Sequence, residues 1–237
     1  MTPDEMKRAV AVHTVETYIK SGLKIGLGSG STAEMFVQEL GARVIAGQLQ
    51  RLTCVSTSDK VSLLAESVGL SVVDLNDVDS LDITVDGADE IDPKTFNLIK
   101  GRGAALLREK LVASTSRLEI IIADESKIVN QIGEKMPLPV EVVPFGWTHT
   151  CRRLQEIGAN PLLRPLTPGG DAILDPFITD NGNYILDCHY HAIEFPALVS
   201  EQVKNIIGVV EHGLFIGMVD KVIIGGATGV YELPPPS

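Results

Sequence analysis

The sequence predicts an α/β fold: a mostly parallel sheet with helices on both faces, carrying a smaller inserted α+β domain. Three observations lead to it. Short apolar runs (Leu23–Leu27, Leu52–Ser56, Leu81–Val85, Leu118–Ala123) alternate with helix-patterned stretches through the first half of the chain, as strands buried on both faces do. Near Gly133 the composition changes: Pro137, Pro139 and Pro144 punctuate an extended stretch, and Asn181-Gly182 later separates two strand-like runs, a strong hairpin signal. A final apolar run, Val219–Ile224, reads as a buried strand that returns to the first sheet. The expected division is therefore residues 1–132 with 207–237 for the larger domain and 133–206 for the insertion.

The elements follow in order. Thr2 to Lys20 reads as a helix, capped by Thr2, with Pro3 in its first turn and Asp4 and Glu5 complementing its dipole. After the Leu23–Leu27 strand and a Gly/Ser turn, a helix is expected from about Ala33 to Ala46. Strands at Leu52–Ser56 and Val72–Leu75 flank a helix over Asp59–Val68. Leu81–Val85 is a strand, Phe96–Ile99 a short apolar run, and a helix begins near Ala104, where Ala, Leu, Arg, Glu and Lys are strong helix formers. That helix is apolar nearly all round, which predicts burial. The insertion should hold helices at Trp147–Ile157 and Phe195–Ile206 and a hairpin of Phe177–Asp180 with Tyr184–Asp187.

Composition bounds the function. The net charge is −11, with 20 Lys and Arg against 31 Asp and Glu, which argues against nucleic acid as a partner. A small phosphorylated ligand in a local pocket stays compatible. Cys54, Cys151 and Cys188 are far apart, without CxxC spacing, as free thiols in a reducing compartment are. The first 20 residues do not resemble a signal peptide, and no apolar run reaches the roughly 18 residues of a membrane span. These readings predict a cytoplasmic protein with no membrane partner.

Four polar segments follow predicted strands: Ser29–Thr32, Asp86–Asp89, Lys100–Gly103 and Lys127. Ligands of open α/β sheets sit beyond the carboxyl ends of the strands. Gly28-Ser29-Gly30-Ser31-Thr32, between strand and helix, has the layout in which main-chain N–H groups cradle a phosphate. It lacks GxGxxG spacing and the Gly-Lys-Ser/Thr ending, so neither a dinucleotide nor a nucleoside triphosphate is indicated. Glu109 has Ala105, Leu106, Val112 and Ala113 on its own helix face. A carboxylate there is either paired, with Arg108 or Lys110, or used chemically. His189 and His191 would share one face of a strand, but no third ligand stands at suitable spacing. No cofactor or metal is predicted. The set suits proton transfer alpha to a carbonyl of a small sugar phosphate.

GLGSGSTAE, ITVDGADEID, LIKGRGAALLREK and IIADESKIV, in this order, resemble the type A ribose-5-phosphate isomerases, and PVEVVPFGW, FITDNGNYILD and GVVEHGLF resemble that family's later segments. The resemblance implies interconversion of ribose 5-phosphate and ribulose 5-phosphate without a cofactor. It implies a Rossmann-like domain carrying a ferredoxin-like one, in homodimers or homotetramers. By motif, Glu109 is the proton-shuttling base, and Lys100 stabilises the oxyanion with the N–H groups of Gly101 and Gly103. Asp86, with Asp89 sharing the task, moves hydroxyl protons. Substrate-binding positions are Ser29, Gly30, Ser31 and Thr32 for the phosphate, then Asp86, Gly87, Ala88 and Asp89, then Lys100, Gly101, Arg102 and Gly103, and Lys127. Two departures stand out: Ser29 where many relatives have Thr, and Arg102 where many have Gly, either pointing away from the sugar or adding a donor on the phosphate side. Competing readings are another sugar-phosphate enzyme on the same core, such as a deaminase or acyl-group transferase, and a non-catalytic sugar-phosphate sensor. Isomerisation should survive exhaustive chelation; loss with EDTA and recovery on adding a divalent ion would contradict this and return attention to His189 and His191.

Overall fold

In the computed structural model, which describes residues 1–236, the chain opens with α1 (Pro3–Tyr18), β1 (Lys24–Leu27), α2 (Ser31–Ile45), β2 (Thr53–Ser56), α3 (Asp59–Ser67) and β3 (Ile83–Asp86). Next come β4 (Glu90–Ile91), β5 (Leu98–Ile99), α4 (Leu106–Thr115), β6 (Glu119–Asp124), β7 (Leu138–Val142) and α5 (Trp147–Glu156). The order closes with β8 (Asn160–Leu163), β9 (Tyr184–His189), α6 (Pro196–Lys204), β10 (Val209–His212), β11 (Leu214–Phe215), β12 (Lys221–Gly226) and β13 (Gly229–Glu232). Among the described residues no helix is long and apolar enough to cross a membrane.

Two compact units result. The first holds Met1–Ala88, Arg108–Lys127 and the chain from Met218 onward; the second holds Asp89–Leu107 and Ile128–Gly217. This moves the expected boundaries of 1–132, 133–206 and 207–237. The reason is strand pairing that the sequence does not announce: β5 pairs with both β4 and β11, and β10 pairs with β7. A buried carboxylate reinforces it. Glu90, fully buried, accepts main-chain N–H bonds from Gly133, Lys135 and Met136 at 2.5–2.6 Å.

The first unit is a six-stranded sheet in the order β13-β12-β6-β3-β1-β2, parallel except for β13. Period-two alternation puts Ile25, Leu27, Ile83, Val85, Ile120, Ile122 and Ile223 in one cluster with Val10, Val15, Phe36, Leu40 and Val61 of α1, α2 and α3. Fully burying each such side chain contributes about 1.5–3 kcal/mol. On the opposite face α4 approaches closely: a Cβ at Gly26 would overlap Val112 and Thr84. The sheet is thus covered on both faces, as expected. Thr2 caps α1 in a reciprocal capping box with Glu5.

Two expectations fail in this unit. Val72–Leu75 is not a strand: it makes a single bridge, Cys54 to Val72. Asp74 then accepts a bond from Asn76 N at 2.8 Å and turns the chain into a short 3-10 helix, Leu75–Asp77. Nor is α4 buried all round, because Leu111 is 49% exposed and Ser114 lies beside it at the surface. Only the stripe carrying Leu106, Glu109, Val112 and Ala113 is buried.

The second unit has a four-stranded antiparallel sheet, β10-β7-β9-β8, and a three-stranded one, β11-β5-β4. Val140, Val142, Leu186 and Cys188 pack with Leu154 of α5 and Val203 of α6. The expected hairpin is half right. The turn at Asn181-Gly182 forms, with Gly182 N bonded to Thr179 O at 2.8 Å, but Phe177–Asp180 makes only the Ile178–Tyr184 bridge. Polar side chains compete for this segment. Thr179, Asn181 and Asn183 all donate to Oε1 of the fully buried Glu141, at 2.9–3.1 Å. The partners of β9 are β7 and β8 instead.

Replacing Glu90 with Ala removes the acceptor of three main-chain N–H groups in or near the interior. At about 1–3 kcal/mol for each group left unsatisfied, Glu90→Ala should lower the denaturation midpoint severely and Glu90→Gln, which keeps one acceptor oxygen, less so. Equal midpoints for wild type and Glu90→Ala would show that the Gly133–Met136 segment does not depend on this carboxylate.

Candidate active site

Ser29–Thr32, Asp86–Ala88 and Lys127 lie where strands β1, β3 and β6 end in the first unit, and Asp89 opens the second. β1 runs out at Leu27, and Gly28 follows with its N–H on Val85 O at 3.0 Å. The absence of a side chain at Gly28 is required, because a Cβ there would overlap the Asp86 carboxyl and Cα. Asp86, 1% exposed, uses that space: its Oδ1 accepts from Ser29 N at 3.0 Å and Gly87 N at 2.7 Å. The carboxylate is thereby held in one orientation by the turns after two neighbouring strands.

Gly30 (φ +99) precedes α2, and no side chain caps the helix. Its first-turn N–H groups and the helix dipole therefore favour an anion. Ser31 is exposed and Thr32 is 6% exposed. Ser29 behaves differently from the expectation. Its hydroxyl is turned to Thr57 Oγ1 (2.8 Å) and Ser58 Oγ (2.9 Å), so it braces the cradle and is already engaged. Thr57 and Ser58 were not singled out from the sequence. The signal was available, since a Ser-Asp pair opening a helix after a strand marks an N-cap, and Ser58 caps α3. Lys127, half-buried, ends a 3-10 turn, Glu125–Lys127, directly after β6. There Asp124 caps the turn through Ser126 N at 3.0 Å.

Glu109 lies in the first turn of α4 and is 4% exposed. A helix N-terminal turn favours a carboxylate. Arg108, named from the sequence as one structural partner for it, reaches Asp59 Oδ1 at 2.6 Å.

The fourth segment belongs to the second unit and follows β5 of its three-stranded sheet. Its place is set by the β5–β11 pairing: Lys100 N bonds to Gly213 O at 2.9 Å. Lys100 is 2% exposed, with Nζ 5.6 Å from the centroid of the Phe215 ring. Gly101 (φ +100) turns the chain, and Asp89 Oδ2 accepts from Arg102 N at 2.9 Å. The Arg102 side chain is exposed and lines a cavity of about 220 Å³ with Asp89, Met136, Pro139, Arg164 and Asp187. Arg164 and Asp187 gave no signal in the sequence; a lone Arg and a lone Asp in a polar stretch carry none.

Other nucleophiles and ligands recede. Burial pushes the Cys54 thiol up to about 12 and also raises Cys188 and Cys151, which keeps them protonated. His189 ends β9 and His191 takes a left-handed φ of +64, so the alternation expected to align them is broken.

A doubly wound α/β unit with an uncapped helix end, a fixed aspartate and a buried helical glutamate, in a chain that also buries a lysine on a glycine turn, holds the groups of a proton-transfer enzyme acting on small phosphorylated compounds. The comparisons are specific. Residues 53–229 match the family described as Ribose 5-phosphate isomerase A (phosphoriboisomerase A). The ribose-5-phosphate isomerase A of Thermomicrobium roseum is 45% identical over 226 residues, covering 95% of this chain and 92% of that one. That of Roseiflexus castenholzii is 44% identical over 233 residues, covering 98% and 97%. A D-ribose-5-phosphate isomerase solved in complex with phospho-erythronic acid aligns with TM-score 0.93 at 38% identity, over 98% of this chain and 99% of that one. The Plasmodium falciparum ribose 5-phosphate isomerase aligns with TM-score 0.91 at 37% identity, over 99% and 100%. The chain belongs to the ribose 5-phosphate isomerase A family.

Because Asp86 occupies the space a side chain at position 28 would need, Gly28→Ala should displace the carboxylate. Overpacking of this kind costs about 1–3 kcal/mol, so the melting temperature should fall and isomerase turnover fall further than the folded fraction accounts for. A Gly28→Ala variant with wild-type turnover and stability would show that the Asp86 position is not held by this packing.

Proposed function

We propose that the chain interconverts ribose 5-phosphate and ribulose 5-phosphate by general-base proton transfer through an enediolate, with Glu109 as the base. The observation that carries this is the family match across residues 53–229, which takes in Asp86, Lys100 and Glu109 and is joined by a Glu109 that is buried in a helix's first turn. The match sets aside the deaminase, acyl-transferase and sensor readings.

In the open-chain aldose, Glu109 takes the proton from C2, and the electron pair moves to give the enediolate with negative charge on O1. Lys100, aided by the N–H groups of Gly101 and Gly103, stabilises that charge. Glu109 then returns its proton to C1 while the O2 proton passes to O1, leaving the ketone at C2. Asp86, and Asp89 with it, move the hydroxyl protons, including those of ring opening. The free N–H groups at the start of α2, with Ser31 and Thr32, hold the phosphate, and Ser29 supports them through Thr57 and Ser58. Gly30 and Gly87 leave room for the ligand, Ala88 carries the chain on from Asp86 to Asp89, and Lys127 binds sugar hydroxyls or phosphate. Arg102 belongs to the substrate-binding set, and its side chain lines a cavity with Asp89. Assembly into a homodimer or homotetramer belongs to this reading, supported by apolar surface on the second unit: Phe145 is 95% exposed, Ile207 80% and Phe195 62%.

The test is Glu109→Gln, which keeps the shape and removes the proton acceptor. Turnover should fall by about 10²–10⁴-fold while the melting temperature and substrate binding stay near wild type. If Glu109 instead holds the helix through a neighbouring cation, breaking the pair costs about 3–5 kcal/mol. Near-normal turnover from an unstable Glu109→Gln protein would therefore make α4 a scaffold and remove Glu109 as the base.

A further inference from the structure

Arg164 of the second unit donates four hydrogen bonds, and the reaction scheme leaves it without a task. Its Nε donates to Asp187 Oδ2 at 2.9 Å and its Nη2 to Asp187 Oδ1, a bidentate fork in which the two side chains are 14% and 19% exposed. Its Nη1 turns the other way and donates to two consecutive carbonyls, Gly101 O at 3.1 Å and Arg102 O at 3.0 Å. A planar, fully charged guanidinium serves such a fork on one side and two acceptors on the other; a lysine ammonium does not.

Those carbonyls belong to the turn that follows Lys100. In a trans peptide the N–H points opposite to the carbonyl of the preceding residue. Holding Gly101 O therefore aims the Arg102 N–H away from Arg164, and it meets Asp89 Oδ2 at 2.9 Å. Holding Arg102 O aims the Gly103 N–H away from Arg164 in the same manner. The turn is strained enough to need such a hold: Gly101 has φ +100, Ala104 has φ +60, and Gly103 is exposed. Asp187 is itself anchored, since it lies on β9 between β7 and β8.

We infer that Arg164 is a positioning residue for the isomerisation: braced by Asp187, it sets the peptide planes after Lys100 and so orients Asp89 and the Gly103 N–H donor. The inference rests on the proposed isomerase reading, in which Lys100 and this turn stabilise the enediolate. Donors aimed at developing charge act chiefly in the transition state, so a loosened turn shows in kcat more than in KM.

The experiment measures kcat and KM for ribose 5-phosphate, with melting temperatures, in wild type, Arg164→Met, Arg164→Lys, Lys100→Met and the Arg164→Met/Lys100→Met double variant. Arg164→Met should lower kcat by about 10²-fold, the scale of a small misplacement of reacting groups, with KM little changed. Arg164→Lys should not rescue it, and carries the test by itself if Arg164→Met does not fold. In the Lys100→Met background, adding Arg164→Met should cost no more than about twofold, because residues acting through one device are non-additive. The inference is overturned by a folded Arg164 variant with kcat within about twofold of wild type, by a loss carried by KM alone, or by effects that multiply in the double variant. Absence of isomerisation in the unaltered chain is a separate outcome, which overturns the functional reading and the inference with it.

Discussion

Main-chain N–H groups taken out of water must find acceptors, and this chain meets that demand at its irregular segments with side-chain carboxylates. Asp86 accepts from the turns after β1 and β3. Glu90 accepts three N–H groups from residues 133–136, Asp74 starts the turn that ends the sheet's outermost segment, and Asp124 caps the turn after β6. Glu141 does the same for side-chain donors of the 179–183 turn. Part of the acidic excess, 31 carboxylates against 20 cations, is therefore internal scaffolding that fixes loops and turns. Polar ligands of α/β folds gather at strand ends, and Asp86 and Asp124 fix the turns after β3 and β6 there.

This economy accounts for the form of the polar segments. Asp86 can lie across the strand ends only because position 28 has no side chain, and Lys100 can be buried because position 213 has none: a Cβ at Gly213 would overlap the Lys100 carbonyl. The glycines of these motifs are thus required by close approach as much as by backbone angle. Rigid placement is what general-base catalysis needs, because proton transfer and oxyanion stabilisation both fall off steeply with small displacements.

The polar segments are divided between the two units. The first holds the uncapped start of α2, Asp86 and Glu109, with a parallel sheet whose carboxyl edge is fixed by topology. The second holds Lys100, its glycine turn and Asp89, with a three-stranded sheet whose members come from two distant stretches of sequence. In the second unit the support comes from Arg164 and Asp187, far from the motif in the chain. In the first it comes from Thr57 and Ser58, after the adjacent strand.

By itself the sequence determined the alternation of strands and helices, the capped first helix, the place of Gly30 before α2, and the residue types that proton transfer on a sugar phosphate requires. These are local properties: apolar periodicity, turn chemistry and motif spacing act over a few residues. Tertiary structure alone decided where the units divide, that Val72–Leu75 leaves the sheet, that Phe177–Asp180 yields its ladder to β8, and that Ser29 turns to Thr57 and Ser58. Three of those outcomes rest on bonds between residues distant in the chain, Glu90 with Gly133, Thr179 with Glu141 and Ser29 with Thr57, and the departure of Val72–Leu75 on the Asp74–Asn76 turn that follows it. A polar side chain's type says that it needs a partner, and only the folded chain says which one it finds.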